Sequence, residues 1–240
     1  TSQIGLAETE RLAKISLNDN PTPWQKKNNE ALKIVSLNCA GLKPHFKDIG
    51  NDSMIMNGDI IHLIETSLEE DEGSPLILLD HAYHLLSAGR GKGIATYYNV
   101  SKFQHQQDIK TPNMQITKFN AENIDIINVY RSSKGNSAEL LAKLIEMITP
   151  RKPTLITGDF NICFMNHSGN RMSKGLKEGE RFQQLMREPT HILGGHIDHI
   201  YWRDDDHMWM DPVVERYSPY YSDHDASCIT LVKQGMTENQ

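Results

Sequence analysis

The sequence predicts an α/β protein in which two packed β-sheets are covered by helices. Three observations predict it. Short apolar runs recur along most of the chain, each bounded by turn residues. Some of these runs are continuously apolar, as in strands buried on both faces, while others alternate as half-buried strands do. Between them, at least two stretches carry apolar residues at helical spacing.

In chain order, Thr1 to Asn29 is polar, with Leu6, Leu12 and Ile15 hinting at one short helix that Asn18–Pro23 breaks. Residues 1–30 are therefore expected to be a linker or the tail of an upstream region, and residues 236–240 a C-terminal tail, around a domain at 31–235. The start at Thr1 suits a segment of a longer polypeptide. Strands are expected at Leu32–Leu37, Asp59–Ile64, Ile77–Leu79, Ile94–Tyr98, Met114–Phe119 and Ile124–Val129. Ser137–Ile148 places Leu140, Leu141, Leu144, Ile145 and Ile148 on one helical face, with Pro150 just beyond. Thr154–Thr157 reads as a strand, the Gly-rich Gly169–Gly179 as a loop, and Gly179–Met186 as a helix. Ile197–Trp202 and Ala226–Val232 complete the strands, and no internal repeat is visible.

At 240 residues the chain is long enough for one domain with a sizeable core, and 38% hydrophobic with 23% charged residues is ordinary globular composition. No apolar run is long enough to span a bilayer. Three cysteines (Cys39, Cys163 and Cys228) lack both metal-ligand spacing and a disulfide pattern, so they are expected as small buried hydrophobes in a reducing compartment; the expected location is intracellular and nuclear. A net charge of −6 argues against a protein that lives by non-specific nucleic-acid affinity. It is compatible with an enzyme that gathers carboxylates around a cation.

Polar residues recur just after the strand candidates. Asn38 follows IVSL, Glu65 follows DIIHLI, and Tyr130 and Arg131 follow DIINV. Asp159 and Asn161 follow TLIT, Asp198 lies in HIDHI, and Asp223 and His224 precede ASCITL. Rigid strand ends are where sheets present chemistry, although a lone Asn or Asp there usually makes a turn. Two residues apart in extended chain, Asp159 and Asn161 share a face and can reach one point. His191, His196, His199 and His207 fit no zinc signature, so no zinc site is expected among them.

The ordered set SLNCAGL, IIHLIET, INVYR, ITGDFN, HIDHIYW and YSDHDA resembles the endonuclease/exonuclease/phosphatase superfamily, which includes deoxyribonuclease I, apurinic endonucleases and retrotransposon endonucleases. The resemblance covers the chain from about Lys33 to Val232. It implies a four-layer α/β sandwich: two packed mixed β-sheets flanked by helices, deoxyribonuclease I-like. It also implies a metal-dependent phosphodiesterase, with DNA as the substrate and partner and nicking by in-line water attack. By resemblance Glu65 is the main ligand of Mg²⁺ (Mn²⁺ as the alternative), with Asn38 and Asp223 close to it. Asp159 activates or orients the attacking water, and Asn161 fixes water or phosphate. Asp198 and His224 form an Asp–His pair that fixes the tautomer and favours the charged imidazole. Tyr130 donates its hydroxyl to the phosphate.

Arg131, Lys134, Arg171 and Lys174, with Arg90, Lys92 and Lys177, are expected along a nucleic-acid groove. One position departs from the pattern: apurinic endonucleases carry an acid two residues beyond the Asn38 position, where this chain has Ala40. NCAGL and EPTHILGGHIDHIYW are closer to endonuclease domains of mobile-element proteins, some of which follow a helicase-like region. The alternatives left open are a catalytically silent nucleic-acid-binding module and an enzyme acting on RNA or a small phosphoester.

Overall fold

A computed structural model of the chain describes residues 21–163, 166–186 and 188–235, without the side chains of 167–170. The expected short helix around Leu6–Ile15 and the tail at 236–240 lie outside the described residues.

The strands form two six-stranded mixed sheets. Sheet A contains β1 (Leu32–Asn38), β2 (Ile60–Ile64), β3 (His81–Leu86), β4 (Ile94–Asn99), β11 (Val213–Tyr217) and β12 (Ala226–Leu231) in the order β11-β12-β1-β2-β4-β3. Sheet B contains β5 (Gln104–Thr111), β6 (Met114–Ala121), β7 (Ile124–Arg131), β8 (Thr154–Asp159), β9 (Gln183–Gln184) and β10 (Asp198–Arg203) in the order β5-β6-β7-β8-β10-β9. Each sheet has one parallel pair near its centre, β1 with β2 and β7 with β8. A parallel pair needs a helical crossover. In sheet A it is α1 (Leu42–Gly50) and α2 (Ser53–Met56), and in sheet B it is α3 (Ser137–Met147). A further helix, α4 (His167–Glu180), packs beside α3.

The layers follow from burial on both faces of the central strands. Between the sheets lie Ile34, Ile60, Phe119, Ile126, Leu155, Ile200 and Trp202. On the outer face of sheet A, Val35 and Leu63 pack with Leu42, Ile49 and Ile55 of the helices. On that of sheet B, Ile127, Val129 and Ile156 pack with Leu140, Leu144, Met172 and Leu176. This is the expected sandwich of two mixed sheets flanked by helices.

Several local expectations do not survive. Residues 169–179 are helical: Met172 and Leu176 face the core, and Gly175 lets α4 approach α3, since a Cβ there would lie 2.5 Å from Leu141. Helix at Gly179–Met186 is replaced by a stop, because Arg181 takes left-handed backbone (φ 60°) and β9 follows. Ile77–Leu79 is irregular, with Ile77 92% and Leu79 86% exposed, and only Leu78 packs on the core. Part of the stretch expected as a linker packs on the sheet A side of the domain. Trp24 is fully buried in the sheet A core, donating its indole N–H to Met54 O at 2.9 Å.

Candidate active site

The six motifs end at one rim of the sandwich because register places them there. In sheet A, Asn38 is level with Ile64, so Glu65 stands just past the end of β2. In sheet B, Asp159 is flanked by Tyr130 on one side and Asp198 on the other.

Asp159 is 1% exposed and held from three directions. Its Oδ1 accepts the Asn161 backbone N–H at 2.8 Å, an Asx turn. Its Oδ2 accepts the Asn38 side-chain amide at 3.0 Å, a bond that crosses from one sheet to the other. The same Oδ2 lies 3.9 Å from His224 Nε2. Asn161 itself has left-handed backbone (φ 51°). The shared-face argument from extended chain therefore does not describe it, and a turn brings it beside Asp159 instead.

The residue before Asp159 sets this geometry. Gly158 has φ 139°, and a Cβ there would sit 2.0 Å from Val129 O. Only glycine lets β8 lie that close to β7 at this point.

His224 Nδ1 is 2.9 Å from Asp198 Oδ2, so the pair is present. Burial disfavours the imidazolium, but the Asp198 hydrogen bond and charge outweigh it, with Asp159 and Asp223 adding to the effect, and lift the pKa to about 9. Burial pushes the Asp159 carboxyl above the ordinary carboxylate range; Asp198 pushes the same way, while His224 and the Asn38 amide oppose. Asp198 is anchored by its own N–H to Thr190 Oγ1 at 3.2 Å.

Glu65 also adopts left-handed backbone (φ 57°), turning its carboxylate to accept the Tyr130 hydroxyl at 3.0 Å. That hydroxyl has a second acceptor at 3.0 Å, Gly91 O, and its one proton serves one acceptor at a time. Burial and the neighbouring Glu65 push the Tyr130 pKa upward, so the phenol stays protonated and remains a donor.

Other expected residues sit differently. Asp223 pairs with His191 at 3.2 Å and is half-exposed. Arg131 is buried: its guanidinium donates to Phe160 O and Asn161 O, each at 2.6 Å, and to Gly135 O. It braces the loop after β8 instead of facing a groove. Lys134, Arg171, Lys174 and Lys177 are exposed. Of the cysteines, Cys39 and Cys228 are buried and Cys163 is partly exposed.

Sequence reasoning missed two participants. Ser222 donates its hydroxyl to Asn38 O at 2.6 Å and accepts the His224 N–H at 3.1 Å, tying the SDH turn to β1. His191 stacks edge-on against His224 with centroids 4.9 Å apart. The serine directly before Asp223–His224 was the available signal for the first. For the second there was none, because the contact depends on how the 190–197 turn folds back.

A divalent cation fits this rim. Two buried carboxylates, Asp159 and Asp198, face one imidazole, with ligand atoms within 4.8 Å of one another. Glu65, Asn38 and Asp159 offer oxygen donors, the type that Mg²⁺ prefers. Glu65 belongs to none of the described groups in which three His, Cys, Asp or Glu ligand atoms lie within 4.8 Å of one another.

Comparisons with known proteins agree with this architecture. The endonuclease domain of TRAS1, a telomere-specific non-LTR retrotransposon, superposes with a TM-score of 0.63 at 13% identity, covering 85% of this chain and 99% of that one. An AP endonuclease from Archaeoglobus fulgidus gives 0.60 at 14% identity, with 85% and 99% covered. The 3′ phosphatase NExo from Neisseria, bound to product DNA hairpin, gives 0.62 at 16%, again with 85% and 99% covered. No curated protein matches the sequence at a significant level. The fold is thus that of nucleases and phosphatases. The model of the endonuclease/exonuclease/phosphatase family matches residues 18–224, and the chain belongs to that family. No helix among the described residues is long and apolar enough to cross a membrane.

Proposed function

We propose that this chain is a divalent-metal-dependent phosphodiesterase that nicks DNA. The observation that carries the reading is the double engagement of Asp159 Oδ2. It is fixed by Asn38 at 3.0 Å and stands 3.9 Å from an imidazole that Asp198 keeps protonated.

The residues divide the work as follows. Asp159 orients the attacking water and takes its proton, while Asn161 beside it fixes the water or the phosphate. His224, charged at neutral pH, donates to the phosphoryl oxygen and stabilises the charge that develops there. Asp198 holds the His224 tautomer. Tyr130 orients Glu65 and can turn its single proton toward a phosphate oxygen. Mg²⁺, held by Glu65 with Asn38 and with Asp223 or Asp159, supplies charge neutralisation when bound, and Mn²⁺ has similar ligand preferences.

DNA is favoured as the substrate by the exposed cations Lys134, Arg171 and Lys174 and by the likeness to an AP endonuclease, a retrotransposon endonuclease domain and a phosphatase bound to product DNA. The same likeness to a retrotransposon endonuclease domain supports a place in a mobile-element polypeptide; a helicase-like or other domain in that polypeptide and a nuclear setting are part of the same proposal and rest on the sequence motifs alone.

A substrate panel tests the choice: supercoiled plasmid, abasic duplex, single-stranded RNA and an inositol phosphate, each with Mg²⁺ or Mn²⁺. Nicked plasmid as the fastest product is the expected result. Turnover of RNA or the inositol phosphate alone would replace the substrate. DNA binding without turnover in either metal would make the chain a silent binding module.

A further inference from the structure

A second cluster of metal-ligating side chains lies on strands that carry none of the residues above. β3 and β5 are the outer strands of different sheets. His84 on β3 places Nε2 2.7 Å from Asp108 Oδ2, and His105 on β5 places Nε2 3.0 Å from Asp108 Oδ1. We propose that His84, His105 and Asp108 bind a transition-metal dication of the Zn²⁺ type, which clasps the open edges of the two sheets together.

The backbone is shaped for this convergence. In an uninterrupted strand, residues three apart point to opposite faces. His105 and Asp108 are three apart, yet both meet His84. The reason is a register shift between His105 and Gln107: His105 pairs with Phe119 and Asp108 with Thr117, two residues apart on the partner strand. Such a bulge interrupts the ladder and re-aims a side chain. Here it turns a carboxylate and an imidazole to one side of an edge strand.

The donor chemistry selects the ion. The three ligand atoms lie within 4.8 Å of one another. Two imidazole nitrogens with one carboxylate oxygen suit Zn²⁺ and similar borderline ions, whereas Mg²⁺ and Ca²⁺ take oxygen sets. All three side chains are about a quarter exposed, which leaves an entry path and room for a water at an open fourth position. Phe119 forms the floor, with ring centroids 5.9 Å from His84 and 5.2 Å from His105.

Coordination requires a defined rearrangement. With both Nε2 atoms donating to Asp108, the neutral rings carry their protons on Nε2. To bind a metal through Nε2, each ring moves that proton to Nδ1. The two rings, stacked at 3.9 Å and 29°, then open so that both lone pairs aim at one point.

The test uses the full chain carrying Cys163→Ser, to remove the one partly exposed thiol, in excess Mg²⁺ to occupy oxygen sites. Histidine-ring ¹H–¹⁵N spectra are recorded as Zn²⁺ is added. The expected result is that one equivalent converts His84 and His105 to Nδ1–H rings coordinated through Nε2. Zn²⁺ should raise the melting temperature, and His105→Gln or Asp108→Asn should weaken the Zn²⁺ dissociation constant by at least tenfold. Rings of His84 and His105 that stay unmoved while His191 and His224 respond would overturn the site. So would unchanged affinity in a folded His105→Gln variant. The spectra are read with the native cluster intact, so a variant that fails to fold does not blunt the test.

Discussion

Asn38, at the end of β1 in sheet A, donates its side-chain amide to Asp159 Oδ2, at the end of β8 in sheet B, at 3.0 Å. The bond is buried and joins the two sheets of the sandwich at the rim where the six motifs end. The carbonyl oxygen of the same Asn38 side chain accepts the Ala40 N–H at 3.0 Å, so one amide fixes both a turn and the buried Asp159 carboxylate. Replacing Asn38 by alanine leaves a buried carboxylate without that donor. The expected cost is about 1–3 kcal/mol of stability, read in urea melts, with nicking slowed by roughly 10²–10³-fold. Wild-type nicking by a folded Asn38→Ala protein would show that the bridge has no catalytic role.

Gly158→Ala should be among the most damaging small changes in the chain. The new methyl would meet Val129 O at 2.0 Å, on backbone with φ 139° that L-residues rarely adopt. A loss of about 3 kcal/mol or more is expected, because both strain and a steric clash must be relieved. Differential scanning calorimetry measures it, and a melting temperature unchanged from wild type would contradict the assigned backbone.

The Asp198–His224 pair makes a pH-dependent prediction. The folded His224 pKa, raised to about 9, lies above its ordinary value. Its stabilising contribution is therefore fully present below pH about 6.5 and lost as pH rises through the folded pKa. In metal-free protein, an NMR titration of the His224 ring should have its midpoint near that raised value. Asp198→Asn should move the midpoint down and flatten the alkaline fall in stability. An unshifted midpoint in Asp198→Asn would separate the two residues.

Two kinds of cation should behave differently. Arg131 holds backbone carbonyls of Phe160 and Asn161, so Arg131→Lys should lower stability and activity while leaving the salt dependence of DNA binding unchanged. For the exposed Lys134, Arg171 and Lys174, each alanine substitution that removes a phosphate contact should reduce the slope of log K against log salt by about 0.9. Stability should be untouched. Fluorescence anisotropy across a salt series distinguishes these outcomes.

The central strands were legible in the sequence because they are buried on both faces, and continuous apolar runs such as Leu32–Leu37 and Ile124–Val129 leave few other readings. Edge strands were not. β5 reads QHQQDIKT, polar because it is an outer strand, and its pairing with β6 rests on backbone bonds that no side-chain pattern advertises. Helix α4 was hidden by Gly169, Gly175 and Gly179, of which Gly175 serves close helix packing. At the site, the motif order brought Asp159, Asp198 and His224 into view. Arg131 looked like a groove residue because a sequence shows its charge and not the carbonyls it meets after folding. Asp223 turned toward His191, a partner 32 residues away that only the turn after Thr190 delivers.

The most direct test of the central claim is the rate of supercoiled-plasmid nicking in Mg²⁺ by the wild-type chain and by Asp159→Asn, with EDTA as the metal-free arm. The expected result is nicking that EDTA abolishes and that Asp159→Asn reduces by roughly 10²–10⁴-fold. Equal rates in wild type and variant, or full activity in EDTA, would contradict it.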